Sequence, residues 1–196
     1  MVPLHFMSVE HLSLQRRYGA EKGRRIGEIL GLVSGWGFFS FWVGLWLSPQ
    51  PRFTIPYLQA PSIHVPSVDF TVPMAHLLVS LPFLLSGVWL GIGGLREVTL
   101  RVAETHRAER VVTTGVYSIV RHPQYLGGLL AHVGASFLLS AWFSLASTPL
   151  MVLLNYLISR KEEEELVREF GEDYEEYRGR VSMFIPRLRR PVNTAK

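Results

Sequence analysis

The sequence predicts an all-α, polytopic integral membrane protein with about four membrane helices, a C-terminal helical hairpin and a cytosolic helical tail. Three observations carry that expectation. Close to half of the 196 residues are hydrophobic and the mean hydropathy is positive. The apolar residues are gathered into long runs, as a chain crossing about 30 Å of hydrocarbon requires. The charged residues lie between those runs and beside their ends. A single domain over 1–196 is expected, with an interfacial segment and two spans in 1–94 and a second functional half in 95–196.

Composition also excludes chemistry. The chain has no cysteine, which removes disulfides, thiolate zinc sites and a cysteine nucleophile. The formal net charge is +4, from 20 basic and 16 acidic residues. The arginines sit beside apolar runs and alternate with acids, a pattern suited to lipid headgroups and not to nucleic acid.

Residues 1–25 are polar and basic with scattered apolar positions, and read either as a short interfacial helix or as a disordered tail. The first apolar run begins only after Lys22, Arg24 and Arg25, so no cleavable signal is expected. Residues 26–48 form the first span. Gly27, Gly31 and Gly35 recur there every four residues, a spacing that lets another membrane helix approach closely. Trp36, Trp42 and Trp46 read as packing or interfacial anchors.

Residues 48–72 carry Pro49, Pro51, Pro56, Pro61 and Pro66, which break any helix and predict an extended, exposed connection. His64 lies there without a ligand-spaced partner and reads as a surface residue. The second span covers 73–94, with a kink expected at Pro82. Its Gly91-Ile92-Gly93-Gly94 run follows no strand, so helix packing outranks a nucleotide loop. Residues 95–122 are charge-rich, and by the positive-inside rule they and the N-terminus are expected on the cytoplasmic side. Residues 123–140 and 144–159 predict a helical hairpin, each arm a little short for a full crossing. His132 and Asn155 sit within it and need partners: each other across the hairpin, or a water-accessible cavity.

The polar chemistry concentrates at 115–127, which runs Gly-Val-Tyr-Ser-Ile-Val-Arg-His-Pro-Gln-Tyr-Leu-Gly. Pro123 is suited to the first position of a helix, where its missing N–H has no partner to lose. His122 then falls at the helix mouth, and the free N–H groups of the first turn join Arg121 and His122 in an anion-receptive site. Taken without further context, the same residues serve equally as a juxtamembrane turn with interfacial tyrosines.

Val111-Val112-Thr113-Thr114-Gly115-Val116-Tyr117 followed by Arg121-His122-Pro123-Gln124-Tyr125 resembles the signature of the integral-membrane methyltransferases related to isoprenylcysteine carboxyl methyltransferase and to phospholipid N-methyltransferases. A second block agrees in order and distance: Glu162 to Glu165, then Phe170-Gly171, Tyr174, Tyr177, Val181 and Pro186. The resemblance covers roughly the C-terminal half and implies S-adenosylmethionine as cofactor. It also implies that His122, Tyr125, Tyr117 and one or both of Glu162 and Glu163 contact that cofactor, with Val111 and Val112 lining it. Arg121 and Pro123 join this set as parts of the helix mouth. The expected division is methionyl carboxylate on the Arg121-His122 side and ribose diol on the glutamate side. No acidic-Gly-x-Gly loop of the soluble methyltransferases is present.

Two registers remain open in the second block. Counting back from Phe170-Gly171 favours Glu162 and Glu163, with Ile158 at the position of the family's substrate-orienting arginine. The other register pairs Arg160 with Glu164. The residues singled out for catalysis are accordingly Arg160 and Glu163. The acceptor implied is lipid-like or prenylated and comes from the bilayer. A phospholipid or small amine is the alternative acceptor, and a non-catalytic membrane adaptor retaining the fold is the rival from another class.

Overall fold

The computed structural model describes residues 2–55, 61–98 and 110–186. The chain is mostly helical. Two short helices, α1 (Val2–Val9) and α2 (His11–Tyr18), precede the long α3 (Ala20–Leu47). A two-stranded sheet, β1 (Ser62–Val65) and β2 (Phe70–Pro73), leads into α4 (Met74–Glu97). Then come α5 (Pro123–Leu138), the short α6 (Trp142–Ala146), α7 (Thr148–Phe170) and α8 (Glu172–Arg180).

Helices α3 and α4 are long and apolar enough to cross a membrane. Their outward faces carry Ile29, Trp36, Phe39, Leu78, Leu85 and Trp89, all exposed. An apolar exterior of this kind is what a lipid-bathed helix presents, and the chain is read as a membrane protein. α5 has only 16 residues, about 24 Å at 1.5 Å per residue, which is short of a full crossing. Pro82 lies inside α4, and the helix continues through it.

The expectation of an extended connection between the first two spans needs amending. Part of it folds back as an antiparallel hairpin in which Ser62 faces Pro73 and Val65 faces Phe70. Ile63, Val65, Thr71 and Val72 are β-branched and favour that geometry. The turn closes through Asp69 at φ 45°, a left-handed conformation that aspartate tolerates better than most residues. His64 is exposed, as expected, beside Thr71 at 3.1 Å.

Within the glycine face of the first span, Gly27 makes a close helix contact, although its partner is not another membrane helix, while a Cβ on Gly35 would meet nothing within 4 Å. A Cβ on Gly23 would stand 2.4 Å from the Leu14 carbonyl oxygen, and one on Gly27 would stand 3.1 Å from His11 Nδ1. The small residues thus admit α2, which folds back onto the start of α3. The segment expected as an interfacial helix or tail is a docked helix pair.

A second backbone-to-backbone crossing joins α4 and α5. A Cβ on Gly87 would fall 2.7 Å from the Gly127 carbonyl oxygen, and one on Gly127 would fall 2.8 Å from both the Gly87 oxygen and the Gly91 nitrogen. Backbone meets backbone there, so only glycine fits. A Cβ on Gly93 would meet Val116, and one on Gly94 would meet Gln124. The Gly91–Gly94 run is a packing surface, and it seats the mouth of α5 against α4.

His132 and Asn155 do not bond each other. His132 accepts from Trp46 Nε1–H at 3.0 Å through Nδ1 and donates to the Ser144 carbonyl at 3.0 Å through Nε2. Asn155 reaches the Tyr125 carbonyl at 3.4 Å. Each polar group found the partner nearest to its own depth. Trp46 thereby ties α3 to the hairpin, the packing role expected for it.

The second arm of the hairpin and the tail are one helix. α7 runs without interruption from Thr148 through the glutamate run to Phe170, where Gly171 at φ 55° ends it. A rigid rod therefore carries the acidic residues back to the mouth of α5.

Candidate active site

Three pieces of backbone set the site. Gly115, at φ 55°, opens a 3-10 turn over Gly115–Ser118. A Cβ there would stand 2.1 Å from Glu97 Oε1, whose other oxygen accepts a hydrogen bond from Thr114 Oγ1–H at 2.7 Å. That turn aims Tyr117 inward. Pro123 then occupies the first position of α5 with His122 as its N-cap, as the sequence predicts. The third piece is the segment after α8. Arg121 N–H donates to the Ser182 carbonyl at 2.9 Å and His122 N–H to the Met183 carbonyl at 3.3 Å, while Tyr177 O–H donates to the Tyr117 carbonyl at 2.7 Å.

The side chains of the two sequence blocks meet directly. Arg121 grips Glu163 with two prongs, Nε to Oε1 at 2.7 Å and Nη2 to Oε2 at 3.0 Å. It also donates to the Arg178 carbonyl at 3.1 Å and to that of Val181. His122 turns Nε2 to Glu163 at 3.1 Å and Nδ1 to Glu162 at 3.5 Å. Tyr125 O–H donates to Glu162. All of this is nearly dry: His122 is 7% and Glu163 6% exposed.

Electrostatics follow from that geometry. Burial disfavours the His122 cation, but the hydrogen bonds it donates to Glu162 and Glu163 outweigh that and hold the imidazole above its ordinary range. Burial likewise opposes ionisation of Glu163, and His122 and Arg121 outweigh that, holding its carboxyl below the usual range. Burial, reinforced by Glu162, pushes the Tyr117 phenol up to about 12 and keeps it a neutral donor.

A cavity of about 190 Å³ opens beside this cluster. Val111, Val112, Tyr117, Arg121, His122, Pro123, Tyr125 and Glu162, each singled out in the sequence, line it. Glu163 stands behind the wall and secures Arg121 and His122. Arg121 lines the cavity and also pairs with Glu163 and two carbonyls, and a buried guanidinium without a carboxylate would be costly.

Arg160 is exposed and absent from the cavity lining, as is Glu164. Successive helical residues are 100° apart, so Glu164 points 200° away from Glu162. Glu162 lines the cavity, Glu163 is buried beside it, and Ile158 is buried at the alternative arginine position. Arg160→Ala should leave donor binding within twofold of wild type, by calorimetric titration.

Sequence reasoning missed part of the wall. Arg110 contributes a cation, Leu166 an apolar surface, Glu165 and Glu169 further carboxylates, and Tyr174 and Tyr177 aromatic rings. The helical period of α7 places residues 162, 165, 166 and 169 on one face and held the signal for that group. Val9 and His11 also line the cavity, and nothing local in the sequence pointed to them. Among the described residues no cluster of histidine and acidic side chains has the form of a metal site.

Comparison with known proteins adds to that geometry. Residues 77–173, just under half of the chain, match the sequence model of the phospholipid methyltransferase family. Over much the same stretch the chain is similar to membrane methyltransferases that act on isoprenylcysteine and on methanethiol. It is 37% identical over 99 residues to methanethiol S-methyltransferase 2 of Bradyrhizobium diazoefficiens, covering 48% of this chain and 36% of that protein. It is 40% identical over 78 residues to the protein-S-isoprenylcysteine O-methyltransferase of Schizosaccharomyces pombe, covering 39% and 33%. The human protein of the same name is 37% identical over 86 residues, covering 43% and 29%. The matched stretch thus spans about a third of the length of these relatives.

Proposed function

We propose that the chain uses S-adenosylmethionine to methylate a lipophilic acceptor at the cytoplasmic membrane face, with a carboxylate of the isoprenylcysteine type as the acceptor class. The observation that carries this reading is the lining of one cavity. Tyrosines and valines suit an adenine, Glu162 with its neighbours suits a ribose diol and a sulfonium, and Arg110 suits the methionyl carboxylate. The donor set fits both ends of that zwitterion.

When bound, the cofactor would supply an electrophilic methyl on a sulfonium sulfur. The work left to the protein is alignment and exclusion of water. Glu162 orients the nucleoside, and Tyr117 and Tyr125 wall it. His122, with its two ring nitrogens turned to Glu163 and Glu162, holds those carboxylates in place. The buried Arg121–Glu163 clamp holds the loop that carries them. A carboxylate acceptor needs no general base, and the site leaves neither His122 nor Glu163 free to act as one.

The outward position of Arg160 favours a second acceptor class. Without that arginine the cavity has less to offer a substrate carboxylate, and some relatives bear the name methanethiol S-methyltransferase. A thiol acceptor would lose its proton to a carboxylate on the α7 face. Transfer of labelled methyl from the cofactor to a panel of prenylcysteine, thiol, amine and phospholipid acceptors separates these classes.

Calorimetric titration of the detergent-solubilised chain with S-adenosylmethionine tests the reading itself. His122→Ala and Glu162→Gln should each weaken binding by about tenfold or more, since each removes a charge-assisted hydrogen bond. Unchanged affinity in both variants would identify a non-catalytic adaptor.

A further inference from the structure

The most unexpected part of the cavity comes from α1 and α2, which lie outside the stretch 77–173 matched by the family model. His5, on α1, is 2% exposed and reaches the glutamate side of the site. Its Nε2 lies 3.5 Å from Glu162 Oε1 and 3.4 Å from Tyr125 Oη. Its Nδ1 lies 3.3 Å from Ser34 Oγ on α3. With the Ser34 hydroxyl as donor to Nδ1, the proton on Nε2 faces Glu162. Ser34 is fully buried, and the Phe38 ring stands edge-on to the imidazole with centroids 6.0 Å apart. The ring is held from behind and points one edge at Glu162.

The rest of the helix pair completes the wall. Val9 and His11 line the cavity, and Glu10, between the two helices, binds Lys161 on α7 at 2.8 Å. Lys161 is the residue next to Glu162. The helix pair is therefore pinned to α3 through the Gly23 and Gly27 approach and to α7 at the edge of the site. A surface anchor would need neither a buried histidine against a site carboxylate nor side chains in the cavity.

We propose that α1–α2 is an integral wall of the donor site and that His5 is a positioning residue, holding the Glu162 carboxylate in the rotamer that receives the ribose. This inference rests on the reading of the cavity as a donor site. Glu162 has rotatable bonds and a half-open cavity before it. With Tyr125 and His122 approaching it from α5 and its mouth, His5 supplies a third direction of restraint. A carboxylate already held where the ligand needs it avoids the entropic cost of ordering at binding.

The test uses the full chain in nanodiscs, with S-adenosylmethionine and S-adenosylhomocysteine as probes. His5→Leu should raise Kd for both by about tenfold, the magnitude of losing a hydrogen bond to a charged group. His5→Gln, which keeps a donor at similar reach, should recover most of that loss. In a Glu162→Gln background the His5→Leu change should add little, since the two substitutions act through one interaction. In turnover the donor KM should rise while kcat and the acceptor KM hold. Equal affinity in wild type and His5→Leu, or full additivity with Glu162→Gln, would overturn the positioning role and leave the donor site standing. Failure of the wild-type chain to bind either probe would overturn the donor site and this inference together.

Discussion

Glu163→Ala should cost about 3–5 kcal/mol of stability, the usual penalty for removing one partner of a buried ion pair, and should abolish donor binding. Arg121 would lose both of its carboxylate contacts and keep only the carbonyls of residues 178 and 181. His122 would lose its 3.1 Å partner and retain Glu162 alone. The loop at 120–122 would then loosen from the 181–183 segment, and the mouth of α5 would lose its shape. Thermal unfolding in detergent reads the first effect and titration with S-adenosylmethionine the second. The double variant Arg121→Met/Glu163→Leu separates them: replacing both charges should restore much of the stability while binding remains impaired.

The same cluster sets a pH dependence. Glu163 is depressed in the folded chain, so its contribution is present above the unfolded carboxylate value of 4.5 and is lost as pH falls through the lower folded value. His122 is raised, so its contribution is complete below its ordinary 6.5 and is lost as pH rises through the higher folded value. Both contributions are complete together between about 4.5 and 6.5, where the clamp should be strongest. A melting-temperature profile against pH should show its high plateau there, and Glu163→Gln should flatten the acid limb.

Gly127→Val should destabilise the membrane core by about 3 kcal/mol or more, at the upper end of overpacking costs. The new Cβ would meet two backbone atoms of α4 at 2.8 Å, and backbone has no rotamer to escape into. Helices α4 and α5 would have to separate. That displaces the mouth of α5 from Gly93 and Gly94, so donor affinity should fall along with stability. Gly128→Ala, one residue further on, has open space around its Cβ and should be neutral in the same unfolding measurement. If Gly127→Val melted like the wild type, the α4–α5 crossing would be wrong.

Much of the cavity lining was legible because it is local. Arg121, His122 and Pro123 are contiguous, and a proline after a polar residue and before an apolar run marks a helix start by backbone chemistry alone. The glutamate run was equally visible, but which of its members matter was not. Four consecutive glutamates look alike as a string, and only the rotation of α7 about its axis separates Glu162 and Glu163 from Glu164. Arg160 followed Glu164 onto the outer face for the same reason, being one turn away on the same side.

His5, Val9 and His11 were illegible for a different reason. The glycines that admit α2 were noted as a face awaiting a partner, and small residues state that something will come close without stating what. The hairpin partners of His132 and Asn155 were ambiguous in the same way, since a buried polar group announces a need and not its supplier.

Apolar run length and backbone chemistry determined the membrane helices, the start of α5 and the residues around which a cavity had to form. Those properties act within a few residues and are written in the string. Tertiary structure alone decided that Arg121 pairs with Glu163, because a guanidinium excluded from water pairs with whatever carboxylate the fold brings to it. It also brought the amino-terminal helices against the cavity. The physical reason is one: desolvated charges and close-packed backbones choose partners by position in space, which chain order does not specify.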